Sequence, residues 1–203
     1  MTARAQRFAA VIAEIDAANA RDPNRLEIDG RLEPAEQVYA QRMSATLTRM
    51  APAASELLRI AARGQHIERW TSPRRSYPEG RVGYLGWRKQ LKEFHARRVG
   101  DIMARAGYEE ADIARVGSLI RKERLKSDAD AQLLEDVVCV VFLEHYLADF
   151  IGRTSGEKLS GILAKTWSKM SPLGRAHARR LSLPPQAAAL LAKAIPELGA
   201  SAE

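Results

Sequence analysis

The chain has 203 residues, 46% of them hydrophobic, and a net charge of +7, so a sizeable core is attainable without disulfides or a structural metal. A single cysteine, Cys139, excludes an internal disulfide and a cysteine-based zinc cage and suits a reducing, cytoplasmic setting. The longest unbroken apolar run, Val137 to Leu143, falls far short of the roughly 20 residues a membrane helix needs, and Arg4, Arg7 and Glu14 interrupt any secretory leader.

Helical periodicity runs through almost the whole chain. Ala5 to Ala18 places Phe8, Val11, Ile12 and Ile15 on one stripe, the i, i+3, i+4, i+7 signature of an amphipathic helix. Pro23 to Gly30 reads as a loop. Pro34 suits the first turn of a second helix carrying Val38, Tyr39, Met43, Leu47 and Met50. A third is predicted over Ala53 to Arg69. Ser72 to Gly83, with two prolines and two glycines, reads as a long loop. The fourth helix is predicted from Tyr84 to Ala106 with Gly107 as its stop, and the fifth from Glu109 to Leu125. Asp128 is a plausible cap for a sixth helix to Ile151, apolar on nearly every face and so expected at a buried centre. A seventh follows around Leu159 to Met170, and a short last one over Pro185 to Ala194. The fold class expected is all-α: a single domain over 1–203, its core about 5–170 and a helical extension over 172–198, with about seven to eight helices around the buried central one.

The charge is concentrated. Between Arg63 and Arg98 lie ten basic and three acidic residues, so this window carries the whole net +7 and the remainder is neutral. Its loop interleaves cations with aromatics: Arg69, Arg74, Arg75, Tyr77, Arg81, Trp87, Arg88 and Lys89 are candidate ligand-binding residues. Guanidiniums make bidentate contacts to phosphate and rings offer faces for base stacking. The plainer alternative is that Trp70, Tyr77 and Trp87 pin the loop while the arginines are solvated. A second basic run, Arg121 to Lys126, suits a solvated helix end.

Two histidines lie inside that window and flank its loop, His66 at the end of the third helix and His95 on the apolar stripe of the fourth. Imidazoles and carboxylates from several helices of a bundle are a common metal site, although a lone histidine on an apolar face is also an ordinary core residue. Glu135, Asp136, Glu144 and His145 fall on the sixth helix among core positions, where an unpaired carboxylate is costly; each is exposed, paired or a ligand. No Gly-rich phosphate loop, dinucleotide fingerprint or nucleophile elbow occurs.

Several strings together resemble one family. Gln65-His66-Ile67 with Arg69-Trp70, Tyr77-Pro78, Gly83-Tyr84-Leu85 with Trp87-Arg88, Phe94-His95-Ala96, Leu119 to Lys126, Glu135 to Cys139 and Val141 to Tyr146 resemble the bacterial and fungal "domain of unknown function 4202" family over nearly the whole chain. A looser similarity in the order of elements is to the HD-type metal phosphohydrolases, which implies an HD-domain-like orthogonal bundle. On that similarity His66, His95 and Asp136 are the catalytic and metal-ligating candidates, with Glu123 a further ligand, around a divalent metal (Mn, Mg, Fe or Zn). The chain departs from the pattern: Ile67 stands where Asp should follow His66, and Tyr39 and Arg42 occupy the region of the first histidine.

The expectation is a cytoplasmic protein, not of the membrane, that binds a phosphorylated, nucleotide-like ligand and can act as a metal-dependent phosphohydrolase. The alternatives are a non-catalytic module for structured RNA and a basic adaptor for an acidic protein.

Overall fold

The computed structural model describes residues 2–154 and 156–195. Apart from one hairpin it is helical, as the periodicity requires. It comprises two compact units that divide after Glu123.

The first unit begins with α1 (Ala3–Asn19), whose Thr2 side chain accepts the Ala5 N–H. The expected loop after Pro23 is instead a hairpin of β1 (Arg25–Ile28) and β2 (Arg31–Pro34), with Ile28 opposite Arg31. Its two-residue turn, Asp29-Gly30, has φ of 50° and 76°, and an Asp-Gly pair is well suited to such tight turns. Pro34 therefore closes a strand and caps α2 (Ala35–Met50) rather than lying inside it. Buried Asp22 fastens this junction: one oxygen accepts the Asn24 backbone and amide N–H groups, the other the Glu36 N–H at 2.9 Å.

Helix α3 (Glu56–Gly64) starts at a Ser55 cap and stops earlier than expected. The chain turns through His66 and Ile67, then makes short 3-10 turns at Arg69–Thr71 and Arg74–Ser76. Helix α4 (Gly80–Arg105) starts four residues before the expected Tyr84. Gly83 permits this start, because a Cβ there would lie 1.9 Å from the Pro78 carbonyl oxygen. Helix α5 (Glu110–Arg121) also ends early, with Lys122 left-handed at φ 61° and the Lys122 and Glu123 N–H groups returning to Leu119 and Ser118. That is a Schellman end built on lysine where glycine is usual. The unit's core includes Ile15, Met43, Leu47, Leu58, Ile60, Ile67, Ile102, Met103, Leu119 and Ile120.

The second unit holds α6 (Ala129–His145), capped by Asp128 as its sequence implies, and almost every turn of it is buried. It ends six residues before the expected Ile151: Tyr146 leaves helical geometry at φ −127° and a separate α7 (Leu147–Ile151) follows. Helix α8 (Gly156–Lys169), α9 (Pro172–Ala178) and α10 (Pro185–Ala194) complete it. Packing of α6 against α7, α8 and α9, and of α10 against α7 and α8, gives this unit its own core. The end of the expected extension, residues 196–198, lies outside the described residues.

Candidate anion-binding site

The turn after α3 is held open by one strained residue. Glu68 is left-handed at φ 51°, a conformation that non-glycine residues rarely adopt. Three contacts impose it. The Asn19 side chain accepts the Glu68 N–H at 3.0 Å, and the Glu68 carboxylate takes Arg21 and Arg98, each at 2.7 Å. These two guanidiniums lower the Glu68 pKa against the opposing effect of burial. The turn thereby presents His66, two residues earlier, and Arg69, the next residue, on the same side of the unit.

His66 and His95 come together, with ring centroids 5.9 Å apart. His95, on the inner face of α4, is 3% exposed, and its Nδ1–H donates to the Ile67 carbonyl at 2.8 Å. Burial, assisted by Arg69 and opposed by the Ile67 bond, lowers its pKa to about 4. It is therefore neutral at pH 7, and its Nε2, an acceptor in that tautomer, is buried with no hydrogen-bond partner among the described residues. His66 stacks on Tyr39 at 4.1 Å between ring centroids, nearly parallel. The Arg69 Nη1 lies 3.3 Å from its Nδ1. A guanidinium can only donate, so Nδ1 accepts and the ring proton sits on Nε2. Burial first, then the positive charge of Arg69, the neighbouring His95 ring and the charges of Lys122 and Arg88, hold the His66 pKa well below its usual value.

Glu36, from the first turn of α2, approaches the His66 Nδ1 to 3.8 Å. Burial raises its pKa to about 7, with Arg69 opposing and Asp22 adding to the rise. The site thus joins two neutral imidazoles, a half-protonated carboxyl and three nearby cations. Arg69, partly buried, bonds a neutral ring rather than a carboxylate and lies 5.2 Å from the Trp87 ring centroid. The charge balance is positive.

The candidate ligand-binding residues divide into two groups. Arg69, Arg74, Tyr77 and Trp87 build the loop. Arg74 donates to the Tyr77 carbonyl at 3.0 Å, the Tyr77 hydroxyl to Gln90 at 2.7 Å, and the Trp87 indole N–H to the Ser72 carbonyl at 2.9 Å. Arg75, Arg81, Arg88 and Lys89 are exposed. Arg63, at the edge of the basic window, grips the Asp16 carboxylate at 2.6 and 2.7 Å.

The donors that the HD similarity implies are mostly engaged otherwise. Asp136 belongs to the second unit and is 1% exposed. One of its oxygens accepts the Ser171 N–H at 2.8 Å and the Gln132 amide at 3.0 Å, and the other accepts the Ser171 hydroxyl at 2.5 Å. Gly174 packs so closely that a Cβ there would lie 2.6 Å from the Asp136 carboxyl carbon. This carboxylate fastens α6 to the start of α9. Glu123 is exposed and holds the Arg121 guanidinium at 2.6 Å. Buried Glu135 is approached by Lys169 at 3.5 Å, and Glu144 lies 3.7 Å from His145.

Among the described residues, no group of three or more His, Cys, Asp or Glu side chains is arranged to hold a metal ion. His95 has the posture of a metal-bound imidazole, one nitrogen fixed on a carbonyl and the other bare. His66 lacks it, because Arg69 occupies its accepting nitrogen, and the cations around the pair oppose a dication. The donors fit an anion better than a metal.

The residues missed from the sequence are Tyr39, Glu36 and Lys122. Tyr39 reads as one more apolar position of α2, Glu36 as a first-turn acid and Lys122 as part of a solvated basic run. Only the turn at Glu68 and the left-handed end of α5 bring them to the histidines.

These features define a helical protein with a cationic side-chain cluster around two histidines on its first unit, and no helix is long and apolar enough to cross a membrane among the described residues. The chain belongs to the family described as Domain of unknown function (DUF4202), whose profile matches residues 9–191. No curated protein and no solved structure matches it.

Proposed function

We propose that the first unit binds a phosphorylated, nucleotide-like ligand at the His66–Arg69 site. The observation that carries this reading is Arg69: a partly buried guanidinium whose polar contact is a neutral imidazole. The carboxyl that faces it electrostatically, Glu36, has its pKa raised to about 7 and so compensates that charge only in part; a phosphate oxygen supplies the remainder with a charge-assisted hydrogen bond. His66 adds a neutral Nε2–H donor, and Arg88 and Lys122 add longer-range attraction. The nucleotide-like part of the reading rests on the aromatic row beyond Arg69. Trp87 lies against Arg69, and exposed Tyr84 lies 6.0 Å from Trp87 between ring centroids, a ring face for a base.

No hydrolytic step is assigned, because Asp136, the carboxylate that the HD similarity names, is locked on Ser171 and Gln132. Titration of the protein with inorganic phosphate and with AMP, in EDTA and then in Mn²⁺, tests the reading. AMP binding in EDTA is expected, with Arg69→Gln weakening it about tenfold or more, the value of a lost charged hydrogen bond. Absence of phosphate and AMP binding, or Arg69→Gln affinity equal to wild type, overturns it. Binding only with Mn²⁺, accompanied by phosphate release, would restore the metal-dependent phosphohydrolase.

A further inference from the structure

The start of α4 carries a surface that the fold does not use. Val82 is 86% and Leu85 54% exposed. At 100° per residue, Val82, Leu85, Gly86 and Lys89 share one face of the helix, and Arg81, Tyr84 and Arg88 form the adjoining stripe. Gly83 and Trp87 point the other way and are buried. Gly86 has no atom within 4 Å of the place its Cβ would occupy, so a residue that weakens the helix interior relative to alanine answers no packing need. Arg75, Arg81 and Lys89 are exposed and make no ion pair among the described residues. Arg88 donates to the Tyr84 hydroxyl at 3.1 Å and so frames the exposed ring.

This stripe is continuous in charge with the histidine cluster. Arg88 belongs to both, since it lies on the exposed stripe and depresses the His66 pKa, and Trp87, the next residue, meets Arg69. A mononucleotide placed with its phosphate at Arg69 leaves Arg75, Arg81 and Lys89 without an anion. A polyanion does not.

We propose that this surface is the track of a single-stranded nucleic acid whose terminal phosphate occupies the His66–Arg69 site, an inference that rests on the phosphate reading of that site. Successive phosphates lie along Arg88 and Lys89, then Arg81 and Arg75 towards the start of the helix, one base stacks on Tyr84, and Val82 and Leu85 meet sugar and base faces where a side chain at position 86 would intrude. The surface is one helix wide with a single exposed ring, which suits an unpaired strand rather than a duplex groove.

Fluorescence anisotropy with 5′-phosphorylated U20 and dT20, their 5′-hydroxyl counterparts, and a blunt duplex of the same length tests it, alongside the AMP titration. For the 5′-hydroxyl strands, four phosphate contacts at about 0.7 each give a slope of log affinity against log salt near −2.8, a loss of about fifty-fold between 50 and 200 mM salt, and the 5′-phosphate adds a fifth contact. Arg81→Gln with Lys89→Gln should halve that slope, and Tyr84→Ala should weaken binding about tenfold without changing it. The 5′-phosphate strand should bind more tightly than the 5′-hydroxyl strand, and Arg69→Gln should erase the difference. Comparable affinity for U20 and dT20 fits the proposal, and a difference between them identifies the sugar it takes. If AMP binds and neither strand binds more tightly than AMP, the track is overturned while the phosphate site stands. If strands bind with the expected slope but without 5′-phosphate preference, the link to the His66–Arg69 site is overturned. Preference for the duplex refutes the single-strand assignment. Because Arg81, Tyr84 and Lys89 are solvent-exposed, circular dichroism melts of their variants should match wild type.

Discussion

Replacing Asp136 with alanine separates a structural carboxylate from a catalytic one. Its oxygens accept three hydrogen bonds, from the Ser171 N–H, the Ser171 hydroxyl and the Gln132 amide. Ser171 in turn caps α9 through the Gly174 N–H at 3.2 Å. Hydrogen bonds to a charged acceptor contribute about 1.5–3 kcal/mol each, and the three share one group, so their loss does not add fully. A destabilisation of about 4 kcal/mol follows. For a chain of this length each kcal/mol lowers Tm by about 2–4 °C, so a drop of about 10 °C is expected in a circular dichroism melt. Asp136→Asn keeps one accepting oxygen and should fall between, at about 2 kcal/mol. Gly174→Ala attacks the same contact from the other side and should destabilise too, by about 1–3 kcal/mol as an overpacked site. AMP affinity, measured well below the melting temperature, should be unchanged in all three. A melt of Asp136→Ala within about 2 °C of wild type, coupled with lost ligand binding, would refute this reasoning and return Asp136 to the active-site candidates.

Two groups of the first unit, buried His95 and part-buried Glu36, should impose opposite pH dependences. Glu36, raised to about 7, binds its proton more tightly when folded, so its contribution is present below pH 4.5 and is lost as pH rises through 7, about 3 kcal/mol in all. His95, lowered to about 4, contributes stability present above pH 6.5 and lost by a similar amount as pH falls toward 4. Urea titrations from pH 4 to 8 should show Glu36→Gln losing stability more steeply on acidification than wild type; identical profiles would contradict the assigned burial of Glu36. Gly83→Ala sets a methyl against the Pro78 carbonyl and should displace the 72–79 loop at a cost of about 2 kcal/mol or more. Trypsin should then cut after Arg74 and Arg75 faster than in wild type, and equal cleavage rates would count against the Gly83 constraint.

Local physics alone accounts for much of the chain. The 3.6-residue periodicity determined the helices, because an amphipathic stripe is a local property, and Asp128 announced its cap because the side chain bonds the N–H groups next to it in sequence. The Asp29-Gly30 pair carries a hairpin signal, but the stretch to Gly30 reads as a loop and the strands on either side are missed. The turn that follows Gly64 was not legible, since it depends on partners distant in the chain: Glu68 is held left-handed by Asn19, Arg21 and Arg98. The end at Arg121 is local but built on a left-handed lysine, a residue that does not announce such a stop. The +7 window likewise tells only half of its meaning in sequence. Tertiary contacts turned Arg63, Arg69, Arg74 and Arg98 inward to carboxylates, carbonyls and a ring, and left Arg75, Arg81, Arg88 and Lys89 facing solvent. Asp136 makes the same point from the opposite side: composition marks a buried carboxylate as anomalous, but only the approach of Ser171 shows what satisfies it. Sequence specifies which charges the molecule carries, whereas burial and distant hydrogen-bond partners decide which of them are needed by the fold and which remain available to a ligand.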